Sequence, residues 1–347
     1  MQKPWLLLLI AALFLPAAAS GQGCMGGGSE EGVSVVGFIQ PQFEYHPSSD
    51  EDMEALTFTF MRARLGVVGS VPYDISYYAM MEFGPFMAGE PPYMLDAFIT
   101  YTRMPYANIA FGQFRRPFSM ERNTFCHKLH TVRRSMVVNA LAMDRDMGIM
   151  AFGEVIEGLD YRFAVMNGSG FNTRDDNIGK DIIGRVIYTP IEYLTLGAGF
   201  VSGNSKPDVE GADDNTKTRY GGDLEVRYEG FLAQGEYIYG KDVGSYTEGG
   251  GCEGDPVIKE GSVKRDGFFV TLLYTTKWNV EPVFRYEQYD NDKDLEEDHL
   301  RRAYTFGINY FMNDWTRLQA NYIRRVEDFT PALDNDELVI QMQVVFE

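Results

Sequence analysis

Alternation of apolar and polar residues is the feature that most constrains what this chain can fold into. After Gly32 the sequence divides into segments of about 10–14 residues in which every second residue is apolar, the pattern of β-strands with one apolar and one polar face. In the last segment the apolar face consists of Leu338, Ile340, Met342, Val344 and Phe346, with Gln341 and Gln343 opposite. The sixteen predicted strands are 33–46, 55–70, 73–85, 92–103, 106–115, 145–156, 158–167, 181–189, 191–202, 219–229, 230–241, 265–277, 278–290, 300–312, 314–326 and 336–346.

The connections distinguish a membrane barrel from a soluble β-sandwich with the same alternation. Short turns alternate with long links, which are predicted at 47–54, 86–91, 116–144, 168–180, 203–218, 242–264, 291–299 and 327–335. Seven short turns and eight long links fit a closed sheet with both chain ends in the periplasm. Closure leaves no backbone group unpaired in lipid. The sequence therefore predicts an all-β fold, a transmembrane antiparallel β-barrel of about 16 strands with its apolar faces toward lipid.

The amino-terminal residues predict export. Lys3, the apolar run from Leu6 to Leu15 and the small residues Ala17–Ala19 are typical of a signal peptide, predicted at 1–20. The glycine-rich stretch 21–32 is predicted to be a flexible periplasmic lead-in, and 33–347 the barrel. Cys24 leaves two interpretations open, lipidation or simple cleavage, and Gly21 favours simple cleavage.

The link at 117–144 is long enough to be functional, and it is basic although the chain carries a net charge of −19. Its cations and those beside it are Arg115, Arg116, Arg122, Lys128, Arg133, Arg134 and Arg145. Acidic clusters lie in other long links, for example at 290–298. We therefore predict that this third long link folds into the barrel and narrows a pore.

Several short motifs are distributed along the chain: Phe60–Gly66 (FMRARLG), Gly112–Glu121 (GQFRRPFSME), Arg134-Ser135, Arg145–Gly148 (RDMG), Val165–Gly168 (VMNG), Arg185–Pro190 (RVIYTP), Gly307–Phe311 (GINYF) and Asn321-Tyr322. These motifs resemble those of the phosphate-selective porin O/P family of bacterial outer-membrane porins. They extend over most of the chain, although each is short.

This resemblance implies a sixteen-stranded porin, commonly a homotrimer, whose third extracellular loop folds inward. It also implies a row of luminal arginines and a lysine cluster near the constriction in members selective for phosphate. Lys128 is the only lysine of this loop. We therefore predict passive diffusion of small hydrophilic solutes, with anions such as phosphate among them, rather than a phosphate-specific site.

Planar guanidinium groups match oxyanions, so the candidate pore-lining residues are cations. They are Arg62, Arg64, Arg115, Arg116, Lys128, Arg133, Arg134, Arg145, Arg162, Arg185, Arg285 and Arg317. Two interpretations stay open. Either these cations give a net anion-attracting constriction, or they pair with luminal carboxylates such as Asp144, Asp146 and Glu281 and give a mixed-charge, weakly selective one.

Other chemistry is weakly indicated. Cys126, His127 and His130 are potential metal ligands but more often ordinary loop residues, and Cys126 and Cys252 could form a disulfide in an oxidising compartment. No catalytic motif, cofactor site or nucleic-acid surface is predicted. Expected partners are outer-membrane lipid and lipopolysaccharide. The alternative function is a barrel that sheathes a partner protein, such as the multihaem cytochrome of an electron conduit.

Overall fold

The fold, a computed structural model, is described for residues 32–46, 56–175, 177–206, 214–248, 257–294, 300–327 and 335–346. The strands are β1 (Gly32–Tyr45), β2 (Leu56–Val71), β3 (Ile75–Glu82), β4 (Tyr93–Met104), β5 (Ala107–Arg115), β6 (Arg145–Ile156), β7 (Leu159–Met166), β8 (Asp181–Ile191), β9 (Leu194–Ser205), β10 (Asn215–Tyr228), β11 (Phe231–Glu248), β12 (Val257–Tyr274), β13 (Val280–Asp290), β14 (Leu300–Phe311), β15 (Thr316–Glu327) and β16 (Glu337–Phe346).

These strands form one closed antiparallel barrel in which each strand pairs with its sequence neighbours. The barrel closes where β1 pairs with β16, from Gly37 opposite Phe346 to Tyr45 opposite Leu338. The predicted fold class and the alternation of short and long connections are confirmed. The tight turn between β10 and β11 uses Glu229 and Gly230, both with positive φ, as a two-residue hairpin requires.

Two predicted links are longer than those observed: 203–218, because β9 runs to Ser205 and β10 begins at Asn215, and, to a greater extent, 242–264. The prediction placed a loop at 242–264, but β11 continues to Glu248 and β12 begins at Val257. The two strands stay paired beyond the length needed to cross a bilayer. The acidic and glycine-rich composition of this stretch concealed the pairing, because a hairpin that projects into water has no need of an apolar face.

The two faces of the barrel are inverted relative to those of a soluble protein. In β16 the side chains of Gln341 and Gln343 are 1% and 5% exposed, whereas Ile340 and Met342 are exposed on the outside. Exposed aromatic residues also gather at the short turns, at Tyr73, Tyr106, Tyr193, Tyr228, Phe231, Trp278 and Trp315. Aromatic rings at one rim are typical of the membrane–water boundary of such barrels.

The short helical elements lie in two long links. A single 3₁₀ turn, Gly84–Ala88, lies between β3 and β4. The link between β5 and β6 contains α1 (Met120–Asn123), a 3₁₀ turn (Cys126–Lys128) and α2 (Met136–Leu141). None of the helices in the described ranges is both long enough and apolar enough to cross a bilayer.

Candidate constriction site

The link 116–144 is a compact, folded segment, called here the inserted loop. Ser119 caps α1 by accepting a hydrogen bond from the Arg122 backbone N–H at 3.1 Å, and Ser135 caps α2 through the Val138 N–H at 3.4 Å. A hydroxyl at each helix start satisfies a backbone donor that would otherwise lack a partner. The sequence therefore specifies the local turns of the loop.

Carboxylates of the barrel wall fix the first half of the inserted loop. Glu236 of β11 accepts hydrogen bonds from the Ser119 hydroxyl (3.0 Å) and from the N–H groups of Met120 and Glu121 (3.1 and 3.0 Å). Arg285 of β13 donates to Glu121 at 2.6 Å, and each of these two residues is 1% exposed. Charge-assisted bonds of this kind are stronger than neutral ones, so this half is firmly held.

The second half is fixed to strands on either side of the barrel seam. Arg133 bonds Glu337 of β16 at 2.6 Å and Glu44 of β1 at 2.7 Å. The Met136 N–H donates to Glu287 of β13 at 2.6 Å. Each of these partners is a polar residue on the inner face of the wall. The inserted loop is therefore bonded to the inner face of the barrel.

Eleven of the twelve predicted pore cations fall into two groups in the structure, and Arg162 lines the cavity described below. Six are paired with carboxylates: Arg64 with Glu82, Arg116 with Asp181, Arg133 with Glu337, Arg145 with Asp96, Arg185 with Asp223 and Arg285 with Glu121. Sequence reasoning identified neither these pairings nor the roles of Glu121, Glu236 and Glu287 in holding the loop, because their partners come from distant strands.

The second group bonds neutral groups. Arg62 donates to Gln40 Oε1 at 2.9 Å, and Arg317 to the Leu129 carbonyl and Gln343 at 3.0 Å each. Arg115 and Arg134 both bond the Thr124 carbonyl, at 3.0 and 2.9 Å. Lys128 is exposed, with its ammonium 5.6 Å from the centre of the Phe125 ring. The lumen thus carries mixed charge overall, with cations concentrated locally.

A cavity of about 60 Å³ lies between the inserted loop and strands β1–β7. Its charged lining consists of Arg64, Arg115, Arg145 and Arg162 against the single carboxylate of Asp96. The rings of Phe38, Phe98 and Phe114 line it as well. A second cavity of about 410 Å³ lies at the short-turn end of the barrel and includes His127, Lys128 and Arg317.

Cys126 lies among the side chains of Arg64, Arg115 and Arg134, and it is 3% exposed. Burial by itself raises the pKa of its thiol, but the guanidinium groups of Arg62, Arg64 and Arg134 outweigh burial and hold the pKa well below its usual range. The thiol is free in the structure. The disulfide partner considered from the sequence, Cys252, lies outside the described residues.

The histidines of the loop are not charged at neutral pH. Burial, and then the Lys128 ammonium, lower the pKa of His127 to about 4, and burial with nearby arginines lowers that of His130 to about 3. Within the described ranges, the metal-compatible cluster is Glu44, His46 and Glu337 instead of Cys126 with these histidines. Arg133 already bonds the carboxylates of both Glu44 and Glu337, so this cluster anchors the inserted loop to the wall.

The sequence matches the family of phosphate-selective porins O and P over residues 37–221 and 200–346. The chain belongs to this family. The porin is an integral β-barrel of the outer membrane, as the resemblance implied. No curated protein matches its sequence.

Solved structures share the fold of the porin at low sequence identity. An anion-selective porin from Comamonas acidovorans has a TM-score of 0.64 and 12% identity, covering 91% of this chain and 100% of that one. OmpF of Salmonella typhi in complex with daunomycin has a TM-score of 0.70 and 11% identity, covering 90% and 97%. OmpT of Vibrio cholerae in trimer form has a TM-score of 0.64 and 12% identity, covering 91% and 99%.

Proposed function

We propose that the porin passes small hydrophilic anions, inorganic ions such as chloride and phosphate among them, down their concentration gradients. The path is the space between the inserted loop and strands β1–β7. The observation that carries the proposal is the charged lining of this space, four arginines against one aspartate. Guanidinium groups facing a narrow wet passage lower the barrier for anions and raise it for cations. A solved anion-selective porin with this fold supports the idea.

Among the twelve predicted cations, we propose that Arg62, Arg64, Arg115, Arg134, Arg145 and Arg162 set the selectivity. They lie in or beside the cavity, whereas Arg116, Arg185 and Arg285 are each bonded to a carboxylate elsewhere in the barrel. Arg133 acts as an anchor, and Lys128 and Arg317 line the second cavity. Transport of this kind needs no catalytic residue, cofactor or covalent step.

Reversal potentials in planar bilayers under a KCl gradient test the proposal. The wild-type porin is expected to prefer Cl⁻ over K⁺, and Arg115→Gln to lower that preference about twofold, since one unit of charge leaves the passage. Arg227→Gln is the matched control, because Arg227 is also a strand arginine but bonds Glu225 outside the cavity. A wild-type channel that prefers K⁺ contradicts the proposal.

We also propose that the porin assembles as a homotrimer and that residues 1–20 are removed on export. The first proposal follows the family resemblance and the trimer form of a solved neighbour. Native mass spectrometry of the detergent-extracted protein tests both, by the number of copies and by the mass of the mature chain. A monomer, or an intact amino terminus, contradicts the respective proposal. No specific observation favours a barrel that sheathes a cytochrome.

A further inference from the structure

Three guanidinium groups converge on the sulfur of Cys126. Arg64 Nη1 lies 3.2 Å from Sγ, Arg134 Nη1 and Nη2 each lie 3.6 Å away, and Arg115 Nη2 lies 3.7 Å away. These arginines come from β2, from the inserted loop and from β5. A sulfur surrounded by N–H donors from three parts of the chain acts as an acceptor. A neutral thiol is a poor acceptor and a thiolate a good one.

The charges around this sulfur do not balance without it. Of the cations Arg62, Arg64, Arg115 and Arg134, only Arg64 has a carboxylate partner, Glu82 of β3 at 2.7 Å. The other three bond amide or backbone oxygens, and no carboxylate lies within ion-pair distance of them in the described part of the chain. Four positive charges, two of them buried (Arg62 and Arg64) and two half-buried (Arg115 and Arg134), therefore face one negative charge.

The remaining carboxylates nearby offset the charge of the cluster only in part, because they are shared with Arg145. Asp96 of β4 is bonded by both Arg145 Nε and Arg145 Nη2 at 2.9 Å. Asp144, at the end of the inserted loop, is bonded by the same arginine at 2.9 Å. His127, next to the cysteine, is neutral. Because burying like charges without compensation is costly, the cluster needs another anion.

We propose that Cys126 carries a thiolate that serves as the resident counter-ion of the arginine cluster, and that this charge limits the anion selectivity of the passage. Arg64, Arg115 and Arg134, which we call the cysteine cage, donate to the sulfur and hold it in place. The effect of this charge on anion selectivity rests on the proposed function, whereas the thiolate itself does not. Cys126 is then a specificity-determining residue, and its charge offsets one of the positive charges beside the cavity.

The charge itself is measured without any transport. In a Cys24→Ser/Cys252→Ser variant, Cys126 is the sole thiol, and thiolate absorbance in the ultraviolet is followed from about pH 9 to about pH 5. The absorbance is expected to persist well below the pKa of about 8.5 of an ordinary thiol. The blank is the same variant with Cys126→Ser. Loss of the absorbance between about pH 9 and pH 8, or a disulfide at Cys126 in the otherwise native chain, overturns the proposal.

The consequence is measured in bilayers with Cys126→Ser and Cys126→Asp. Serine removes the negative charge and is expected to raise the Cl⁻/K⁺ permeability ratio about threefold, as a unit charge a few ångströms from the ion path requires. Aspartate restores the charge and is expected to return the ratio to within twofold of the wild type, about the range that its different shape allows. Equal ratios for Ser and Asp overturn the role in selectivity.

The two proposals fail in different ways. If the wild-type porin prefers K⁺, the proposed anion function is wrong, but a higher Cl⁻/K⁺ ratio for Cys126→Ser than for Cys126→Asp still supports the counter-ion. If the wild type prefers Cl⁻ and the absorbance shows a neutral thiol, only the counter-ion is wrong. Heat-modifiable migration of each variant on gels verifies that the barrels are folded.

Discussion

Single side chains fix the inserted loop, and Arg285, 1% exposed, is among the most buried of them. Its guanidinium bonds Glu121 at 2.6 Å, Thr271 Oγ1 at 3.0 Å and the Arg133 carbonyl at 3.1 Å. It therefore connects the wall to both halves of the loop. Its side chain is also 4.9 Å from the centre of the Phe269 ring.

Arg285→Met is expected to release the loop. The change leaves Glu121 buried without its cation, which costs on the order of 3–5 kcal/mol. We expect larger and noisier single-channel conductance, and faster cleavage within 116–144 by added protease. Arg265→Met is the control, because Arg265 also pairs with a carboxylate, Asp242 at 2.9 Å, but it is half-buried and its guanidinium bonds Asn291 and Asp242 rather than the loop. Identical conductance for the wild type and Arg285→Met would show that the pair is dispensable.

The two histidines of the loop make its attachment depend on pH. Their folded-state pKa values of about 4 and about 3 lie below the ordinary value of about 6.5. At pH values between the folded-state pKa and the ordinary pKa of a histidine, the unfolded loop binds more protons than the folded one. Their contribution to loop stability is therefore fully present above about pH 6.5 and is lost as the pH falls through about 4.

Protease cleavage of the loop is accordingly expected to be faster at about pH 4 than at about pH 7. The double variant His127→Phe/His130→Gln removes both titrating groups, and the phenyl ring that it introduces keeps an aromatic contact with Phe38 and Phe125. It is expected to show a smaller difference in cleavage between the two pH values. His46→Phe, at the barrel rim, is the control. If the cleavage rates at the two pH values differ as much in the double variant as in the wild type, the pH effect comes from carboxylates and not from these histidines.

At the scale of elements, β5 leads the chain into the inserted loop, and its geometry depends on Gly112. This residue has φ +138°, and a Cβ there would lie 2.2 Å from the Ala97 carbonyl oxygen and 2.7 Å from Phe98 Cα. Both obstacles are backbone atoms of β4, so a side chain cannot displace them easily. Gly112 also begins the motif Gly112–Glu121 by which the sequence resembles its family.

Gly112→Ala is expected to destabilise the barrel by about 1–3 kcal/mol, through backbone strain and the close contact with β4. The measurement is the folded fraction, read from heat-modifiable migration on gels across a urea series. Gly222→Ala is the matched control, since its Cβ would meet a single atom, the Gly197 carbonyl oxygen at 3.9 Å. If both variants unfold at the same urea concentration, the strain argument is wrong.

At the scale of the whole molecule, the orientation of the two faces is the decisive property. Phe306, in the middle of β14, is 54% exposed on the outer face. Phe306→Arg is expected to destabilise the porin in phospholipid vesicles by about 2–4 kcal/mol, because a cation would face hydrocarbon. Phe306→Leu is the control for the lost ring. The readout is urea unfolding followed by tryptophan fluorescence. A change within about 0.5 kcal/mol, as at a water-exposed surface, would contradict the membrane orientation.

Much of this architecture could be predicted from local pattern. Alternation of period two in segments such as Glu337–Phe346 specifies strands and their faces, and the lengths of the links specify how the strands connect. Those signals depend on residues close together in the sequence. They failed most at 242–264, where the hairpin projects beyond the bilayer and the apolar face ends.

The sequence by itself thus determined a closed outer-membrane barrel with a basic loop available to enter it. Tertiary structure alone decided which cations are neutralised, because barrel closure brings together residues such as Arg285 and Glu121, or Arg133 and Glu337, that are far apart along the chain. It also decided that the arginines of β2, β5 and the loop converge on Cys126. Electrostatic energy depends on distances in space, and no local pattern encodes them.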